Sequence, residues 1–305
     1  MKKMVRLGSR GSRLAVIQAE SVIALMKQAS PDIDISLVKV TTAGDRDRHG
    51  LPGQFAVGAF VKELEEALLD GRIDAAVHSL KDLPVELPAG LLVAATAPRL
   101  DPRDALVARD RLDNLAPGSR IGTGSPRRAV QLLKLRPDLE VCGMRGNVPT
   151  RLQKVQAGLV DGVIVAAAAL LRLGLEKEVT SYFEPDNFLP AVGQGALAIE
   201  TRSADREILD IIKPVNHLPT WQCVSAERAF LRALGGGCRA PIAALALARG
   251  GRLTLEGMCA SADGASILRL SEEGSAEAAE KLGQGLANKM LAGGANRFIA
   301  EAEKL

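Results

Sequence analysis

The chain has 305 residues, 47% hydrophobic and 25% charged, which suits a globular protein of two or three domains. Its 39 lysines and arginines nearly balance 36 acids, and aromatics are only 3%, so bulk binding to nucleic acid or anionic membrane and a base-stacking platform are disfavoured. The basic start is broken by Gly8, Ser9, Arg10 and Arg13 before any apolar signal region forms, and no apolar run approaches a membrane span.

Val5–Leu7 reads as a strand feeding a Gly-Ser-Arg loop, and Ser12–Gln28 has helical periodicity with Leu14, Ile17, Val22 and Leu25 on one face. Ile33–Val40 is a second strand, followed by the polar loop Thr41–Gly53, a helix over Phe60–Leu69 and a short strand over Asp74–Val77. Arg120–Gly122, Val141–Gly143 and Gly162–Val165 are strands, each followed by a helix. This alternation predicts parallel sheets in α/β lobes. Leu7–Val16 also echoes Ile121–Val130, both running from a strand through a small, hydroxyl-rich loop into a helix with arginine at its start. Gly71–Val77 echoes Gly158–Ile164 in the same way, so two similar lobes with a cleft between them are expected. After the apolar segment Ala191–Glu200 the pattern changes. Ser225–Leu234 is a helix, Pro241–Ala248, Leu253–Cys259 and Ser266–Leu270 form a strand meander, and Ala276–Leu291 is a closing helix, making an α+β domain.

Arg10, Arg127, Arg128, Arg145, Arg151 and Arg172 fall at or near strand ends and helix starts, where open α/β sheets bind ligands and helix N-termini favour anions. Arginine suits fork-like recognition of carboxylate or phosphate. Solvated arginines paired with nearby acids are the alternative, weaker for Arg127-Arg128 and Arg145 because glycine-opened loops free backbone amides beside them. Gly122-Thr123-Gly124-Ser125 lacks the third glycine of a dinucleotide loop and the lysine of a phosphate loop, so a ligand with several carboxylates fits better than a nucleotide. Asp82, after the strand ending at Val77 and beside Lys81, is placed to stabilise a cation or move a proton; the alternative is a cap on the turn before Pro84. His78 is expected to be packed or hydrogen-bonded.

Four scattered cysteines without ligand-spaced histidines disfavour zinc and a disulfide framework, and no metal site is expected. A reducing cytoplasm is the expected compartment. Cys142, Cys223 and Cys259 read as small buried hydrophobes. Cys238 differs, because Gly235-Gly236-Gly237 and Arg239 open an exposed, cationic turn around its sulfur. None of His49, His78 and His217 has a partner motif, so this thiol reads as a permanent covalent anchor more than a turnover nucleophile.

Together, Gly-Ser-Arg near the start, Thr42-Ala43-Gly44-Asp45, Val77–Pro84, Gly124-Ser125-Pro126-Arg127-Arg128, Arg145–Arg151 and the cysteine loop make the whole chain resemble the porphobilinogen deaminase (hydroxymethylbilane synthase) family. The resemblance implies a transferase that joins four porphobilinogen units head to tail into hydroxymethylbilane, releasing ammonia, in haem and porphyrin biosynthesis. It implies a covalent dipyrromethane cofactor, one per chain, on Cys238 through a thioether. Asp82 would be the catalytic acid, holding pyrrole N–H groups and stabilising the azafulvene-like cation. Lys81, Ser79, Thr123, Ser125, Arg127, Arg128, Arg145 and Gln194 would hold the cofactor; Arg10, Ser12, Arg145, Arg151, Arg172 and Phe60 would hold the substrate. The implied fold is two periplasmic-binding-protein-like α/β lobes, 1–97 with 196–214 and 98–195, plus a C-terminal α+β domain, 215–305, carrying the cysteine. A cytoplasmic monomer that passes its product to a downstream cyclising enzyme is implied as well.

Two positions depart from the family's pattern. Ala240 stands where a branched aliphatic residue is usual, a packing change. Val57 falls where the family has lysine, and Arg46 or Arg48 is expected to compensate.

A binding protein that closes on a small anion without chemistry would leave Cys238 and Asp82 without roles. Cysteine-dependent acyl transfer would lack its histidine.

Overall fold

Alternate burial of Val5, Leu7 and Ser9 makes Met4–Arg10 a strand, β1, and Ser12 stops it by capping the next helix. Its Oγ accepts from the Ala15 N–H at 3.3 Å, starting α1 (Arg13–Ala29), which buries Ala15, Ala19, Val22 and Met26 at helical spacing. The computed structural model describes residues 4–42, 61–235 and 240–303. These divide between two compact units: residues 4–42, 61–100 and 195–221, and residues 101–194, 222–235 and 240–303.

In the first unit β1 is followed by β2 (Asp34–Val40), α2 (Lys62–Leu69), β3 (Ala75–Ser79), β4 (Leu91–Thr96) and, after the chain's passage through the second unit, β10 (Leu197–Arg202). The sheet order is β2-β1-β3-β10-β4. β1 is parallel to β2 and β3, whereas β10 is antiparallel to β3 and β4. Val5, Leu7, Val22, Met26, Val77 and Ile199 form its core. α6 (Arg206–Ile212) adds Ile208 and Ile212 to it.

The second unit repeats the plan. β5 (Asp104–Ala108), β6 (Arg120–Gly122), α3 (Pro126–Leu135), β7 (Glu140–Cys142), α4 (Val148–Gln156), β8 (Gly162–Ala166), α5 (Ala167–Leu173) and β9 (Ser181–Phe183) give a sheet of order β7-β6-β8-β5-β9. β6 is parallel to β7 and β8, and β5 is antiparallel to β8 and β9. The repeated segments thus occupy equivalent strands: β1 matches β6 and β3 matches β8. Both sheets are mixed, which corrects the parallel-sheet expectation. The βαβαβ repeat supplies the three parallel strands, and a strand from outside it enters in the opposite direction.

The rest of the second unit begins within α7 (Leu218–Leu234) and continues through the antiparallel meander β11 (Ile242–Arg249), β12 (Arg252–Ala260) and β13 (Ile267–Ser275) to α8 (Ala279–Ala292) and α9 (Ala295–Glu303). This is the expected α+β block. Phe230 of α7 packs with Leu253, Leu255, Leu286 and Met290, and Ala240 is buried in the same cluster. Val130 and Leu189 pack against Ala243, Leu245 and Met258, joining this block to the second α/β sheet within one core. α7 starts seven residues ahead of the expected Ser225, with Pro219 in its first turn, where its missing N–H costs nothing.

Candidate active site

In each α/β sheet the expected site residues follow the carboxyl ends of neighbouring parallel strands, where such sheets open to ligands. In the first unit, β1 ends at Arg10 and β3 at Ser79. Ser12 begins α1, and Gln18 of that helix donates from Nε2 to Ser79 Oγ at 2.8 Å, tying the two strand ends together. A single 3-10 turn, Leu80–Asp82, follows β3; Leu80 is buried beneath it while Lys81 and Asp82 are exposed. A carboxylate held at a strand end by a buried leucine, yet open to solvent, is placed to meet a ligand.

His78 is buried in β3 with its Nε2 2.9 Å from Glu200 Oε2 of β10, in an alignment outside hydrogen-bond geometry. This bears out a packed histidine. Glu65 of α2 is coupled to the same pair: burial pushes its carboxyl up, the Glu200 charge adds to the effect, and His78 opposes it.

In the second unit the same edge carries two loops, after β6 and β7, while β8 runs straight into α5. After β6, the Thr123 N–H donates to Cys142 O at 2.9 Å and the Ser125 N–H to Thr123 Oγ1 at 3.2 Å, shaping the turn into α3. Gly124 admits no side chain, since a Cβ there would lie 2.8 Å from Met144 O. After β7, Asn147 caps α4 by accepting from Thr150 N–H at 2.9 Å, and Arg151 donates from Nε to Gly146 O at 2.8 Å. Arg145 is half-buried just before that cap. After β8, Arg172 lies in the last turn of α5, where burial lowers its guanidinium to about 10.

The densest cluster lies at the start of α3. Arg127 and Arg128 are 5% and 7% exposed, and both meet Asp104 of β5, which is wholly buried. Arg127 Nη1 donates to Asp104 Oδ2 and to Leu189 O, each at 2.7 Å. Arg128 donates to Asp104 Oδ1 from Nη2 at 2.6 Å and Nε at 2.9 Å, and from Nη1 to Ile164 O at 2.9 Å. Gln194 completes the group, with its Nε2 donating to Asp104 Oδ1 at 3.0 Å and to Pro102 O at 2.8 Å. Burial alone would raise the Asp104 carboxyl, but the charges of Arg127 and Arg128 outweigh it and hold the group well below the usual carboxylate range. Among the described residues, two guanidiniums against one carboxylate leave one buried positive charge at a helix N-terminus, which favours an anion there. The structure therefore brings Arg127, Arg128 and Gln194 together, around an aspartate the sequence reading passed over.

Cys223 and Cys259 are buried and Cys142 is half-buried; burial pushes the Cys259 thiol up to about 11. Cys238, Phe60, Val57, Arg46 and Arg48 lie outside the described residues. Among the described residues there is no group of three or more His, Cys, Asp or Glu that could hold a metal, and no helix long and apolar enough to cross a membrane.

A family model described as "Porphobilinogen deaminase, dipyromethane cofactor binding domain" matches residues 5–210, and "Porphobilinogen deaminase, C-terminal domain" matches residues 221–292. The chain belongs to the porphobilinogen deaminase family. Relatives of that name share 44% identity in Syntrophobacter fumaroxidans and 45% in Desulforudis audaxviator, each over 98% of this chain and 98% of the relative. The Syntrophotalea carbinolica porphobilinogen deaminase is 46% identical over 97% of this chain and 95% of its own length. Among solved structures, the methionine binding protein MetQ aligns over 72% of this chain and 90% of that chain at 14% identity, with a TM-score of 0.43. As a porphobilinogen deaminase family member, the chain is a transferase that polymerises porphobilinogen into hydroxymethylbilane and uses a dipyrromethane cofactor.

Proposed function

We propose that Asp82 is the catalytic acid of this transferase and that Cys238 carries the dipyrromethane through a thioether. Lys81, Ser79, Thr123, Ser125, Arg127, Arg128, Arg145 and Gln194 hold the cofactor. Arg10, Ser12, Arg145, Arg151, Arg172 and Phe60 hold the incoming porphobilinogen. The observation that carries this reading is the Arg127–Arg128–Asp104 cluster with its buried excess of one positive charge. A ligand bearing several carboxylates answers it, whereas a neutral ligand would leave that charge uncompensated.

When bound, the dipyrromethane supplies the pyrrole carbon on which the chain grows. The protein's own tasks are to bind, orient and move protons. The arginines take the carboxylate arms in forked hydrogen bonds and so fix each ring. Asp82, on its exposed turn, accepts from pyrrole N–H groups and lowers the energy of the positive charge that develops as ammonia leaves. No basic side chain is needed beside Cys238 for an attachment made once.

The reading extends to three domains, 1–97 with 196–214, 98–195 and 215–305. It also includes a cytoplasmic monomer that passes its linear product to a downstream cyclising enzyme. Intact-mass measurement tests the centre of the proposal. The purified protein should exceed its sequence mass by two linked pyrrole units, and Cys238→Ser should lack that increment. An unmodified, fully active wild-type protein refutes it.

A further inference from the structure

We propose that Asp104 is a positioning residue for the reaction, the buried counter-ion that aims Arg127 and Arg128 at the cofactor's carboxylates. The inference rests on the reading above that these arginines hold the cofactor.

Asp104 opens β5, and its side chain is the common acceptor for three residues from two other segments. Arg127 and Arg128 come from the first turn of α3, and Gln194 from the segment that follows Leu189. Its two oxygens divide the work. Oδ2 takes Arg127, while Oδ1 takes Arg128 twice and Gln194 once. Arg128 is thereby engaged at Nε, Nη1 and Nη2, whereas Arg127 is engaged among the described residues only through Nη1. The Nε–Nη2 edge of Arg127 thus remains to face a ligand, with its plane fixed by Asp104 on one bond and Leu189 O on the other. Forked recognition of a carboxylate needs that plane fixed.

Asp104 also keeps the cluster chargeable. Burial lowers the Arg127 guanidinium, the Asp104 charge opposes that effect, and neighbouring Arg128 adds to it. Without Asp104, two cations would sit side by side in a dry interior. Gln194, besides the cofactor contact proposed for it above, braces Asp104, because its amide Nε2 donates to both Pro102 O and Asp104 Oδ1. The segment bearing it is clamped by wholly buried Glu227 of α7, whose Oε2 accepts from the Gly193 N–H at 2.7 Å and whose Oε1 accepts from the Ala246 N–H at 2.9 Å.

The test uses the full chain and three readouts: the dipyrromethane increment in the intact mass of the folded fraction, KM against kcat, and thermal stability. Asp104→Asn keeps the size, removes the charge and turns an N–H toward a guanidinium. It should lower the loaded fraction about tenfold or more and raise KM in the molecules that load. Asp104→Glu keeps the charge but displaces it by one methylene. It should fold, load partially and show raised KM with kcat changed less. Should Asp104→Asn fail to fold, Asp104→Glu carries the test by the same readouts. Full loading with wild-type KM in a folded Asp104→Glu, or in a folded Asp104→Asn, overturns the proposal. Cys238→Ser separates the two claims, since retention of the increment in that variant refutes the attachment reading whatever Asp104 does.

Discussion

Arg127 and Arg128 are adjacent in sequence but unequally engaged: among the described residues, Arg128 donates from all three guanidinium nitrogens, while both bonds of Arg127 leave from Nη1. Replacing Arg128 leaves Asp104 with a single cation and Ile164 O without its donor. Arg128→Gln is therefore expected to lower stability by about 3–5 kcal/mol, the range for breaking a buried pair. Arg127→Gln keeps the two-pronged Arg128–Asp104 contact and should cost about 1–3 kcal/mol. Urea denaturation of the two variants checks this, and equal losses would remove the asymmetry.

The Asp104 carboxyl gives a pH dependence of definite sign. Its folded value is held below the ordinary unfolded value of about 3.9, so its contribution is complete above that value and is lost as pH falls through the folded one. The wild-type protein should lose stability progressively below about pH 4. Asp104→Asn should start less stable at pH 7 and show a shallower acid slope. Denaturation midpoints at pH 7, 4 and 2.5 measure both slopes, and parallel slopes would count against this role.

Much of this was legible in the sequence, for identifiable reasons. The echo of Leu7–Val16 in Ile121–Val130 marked equivalent strand–loop–helix units because both need a small loop and a helix start at the same place. Arg127 and Arg128 stood out by their glycine-opened loop. Asp104 did not, since an acid in Asp101-Pro102-Arg103-Asp104 looks like a solvated turn residue until β5 carries it inside. Pairing partners distant along the chain were equally hidden: β10 joins β3 across more than a hundred residues, and no local periodicity reports that. No strand is expected from the sequence at β4, β5, β9 or β10, and no helix at α6 or α9.

Glu65 predicts a stabilising substitution. Burial is the main cause of its raised carboxyl, followed by the Glu200 charge, with His78 opposing. A folded value above the unfolded one of about 4.3 means that ionised Glu65 weakens the fold, increasingly as pH rises from that value toward the folded one. Glu65→Gln, a neutral isostere, should match wild type near pH 4 and melt a few degrees higher at pH 7.5. A lower melting temperature at pH 7.5 would show that the negative charge is needed there.

Asp82 separates activity from stability. Its side chain is exposed on the turn after β3, so Asp82→Asn should leave the unfolding free energy within about 0.5 kcal/mol of wild type. Loss of a carboxylate that stabilises developing positive charge should lower kcat about a hundredfold or more. Turnover of porphobilinogen, measured beside urea denaturation, gives both numbers. A variant with near-wild-type kcat would move the catalytic role elsewhere.

Gly283 sets two magnitudes of opposite sign against each other. It lies inside α8, where alanine would ordinarily gain about 1 kcal/mol in helix propensity. A Cβ there, however, would lie 2.2 Å from Ala226 O and 2.7 Å from Phe230 N, both backbone atoms of α7. Backbone cannot rotate away as a side chain can, so the two helices must separate, and Phe230 with them. Overpacking of this kind costs about 1–3 kcal/mol and outweighs the propensity gain at all but the lowest end of that range. Gly283→Ala is expected to lower the unfolding free energy from urea denaturation by up to about 2 kcal/mol, with a larger loss for Gly283→Val. A stabilised Gly283→Ala would mean that the helices part at little cost and that their close approach is not what holds glycine at this position.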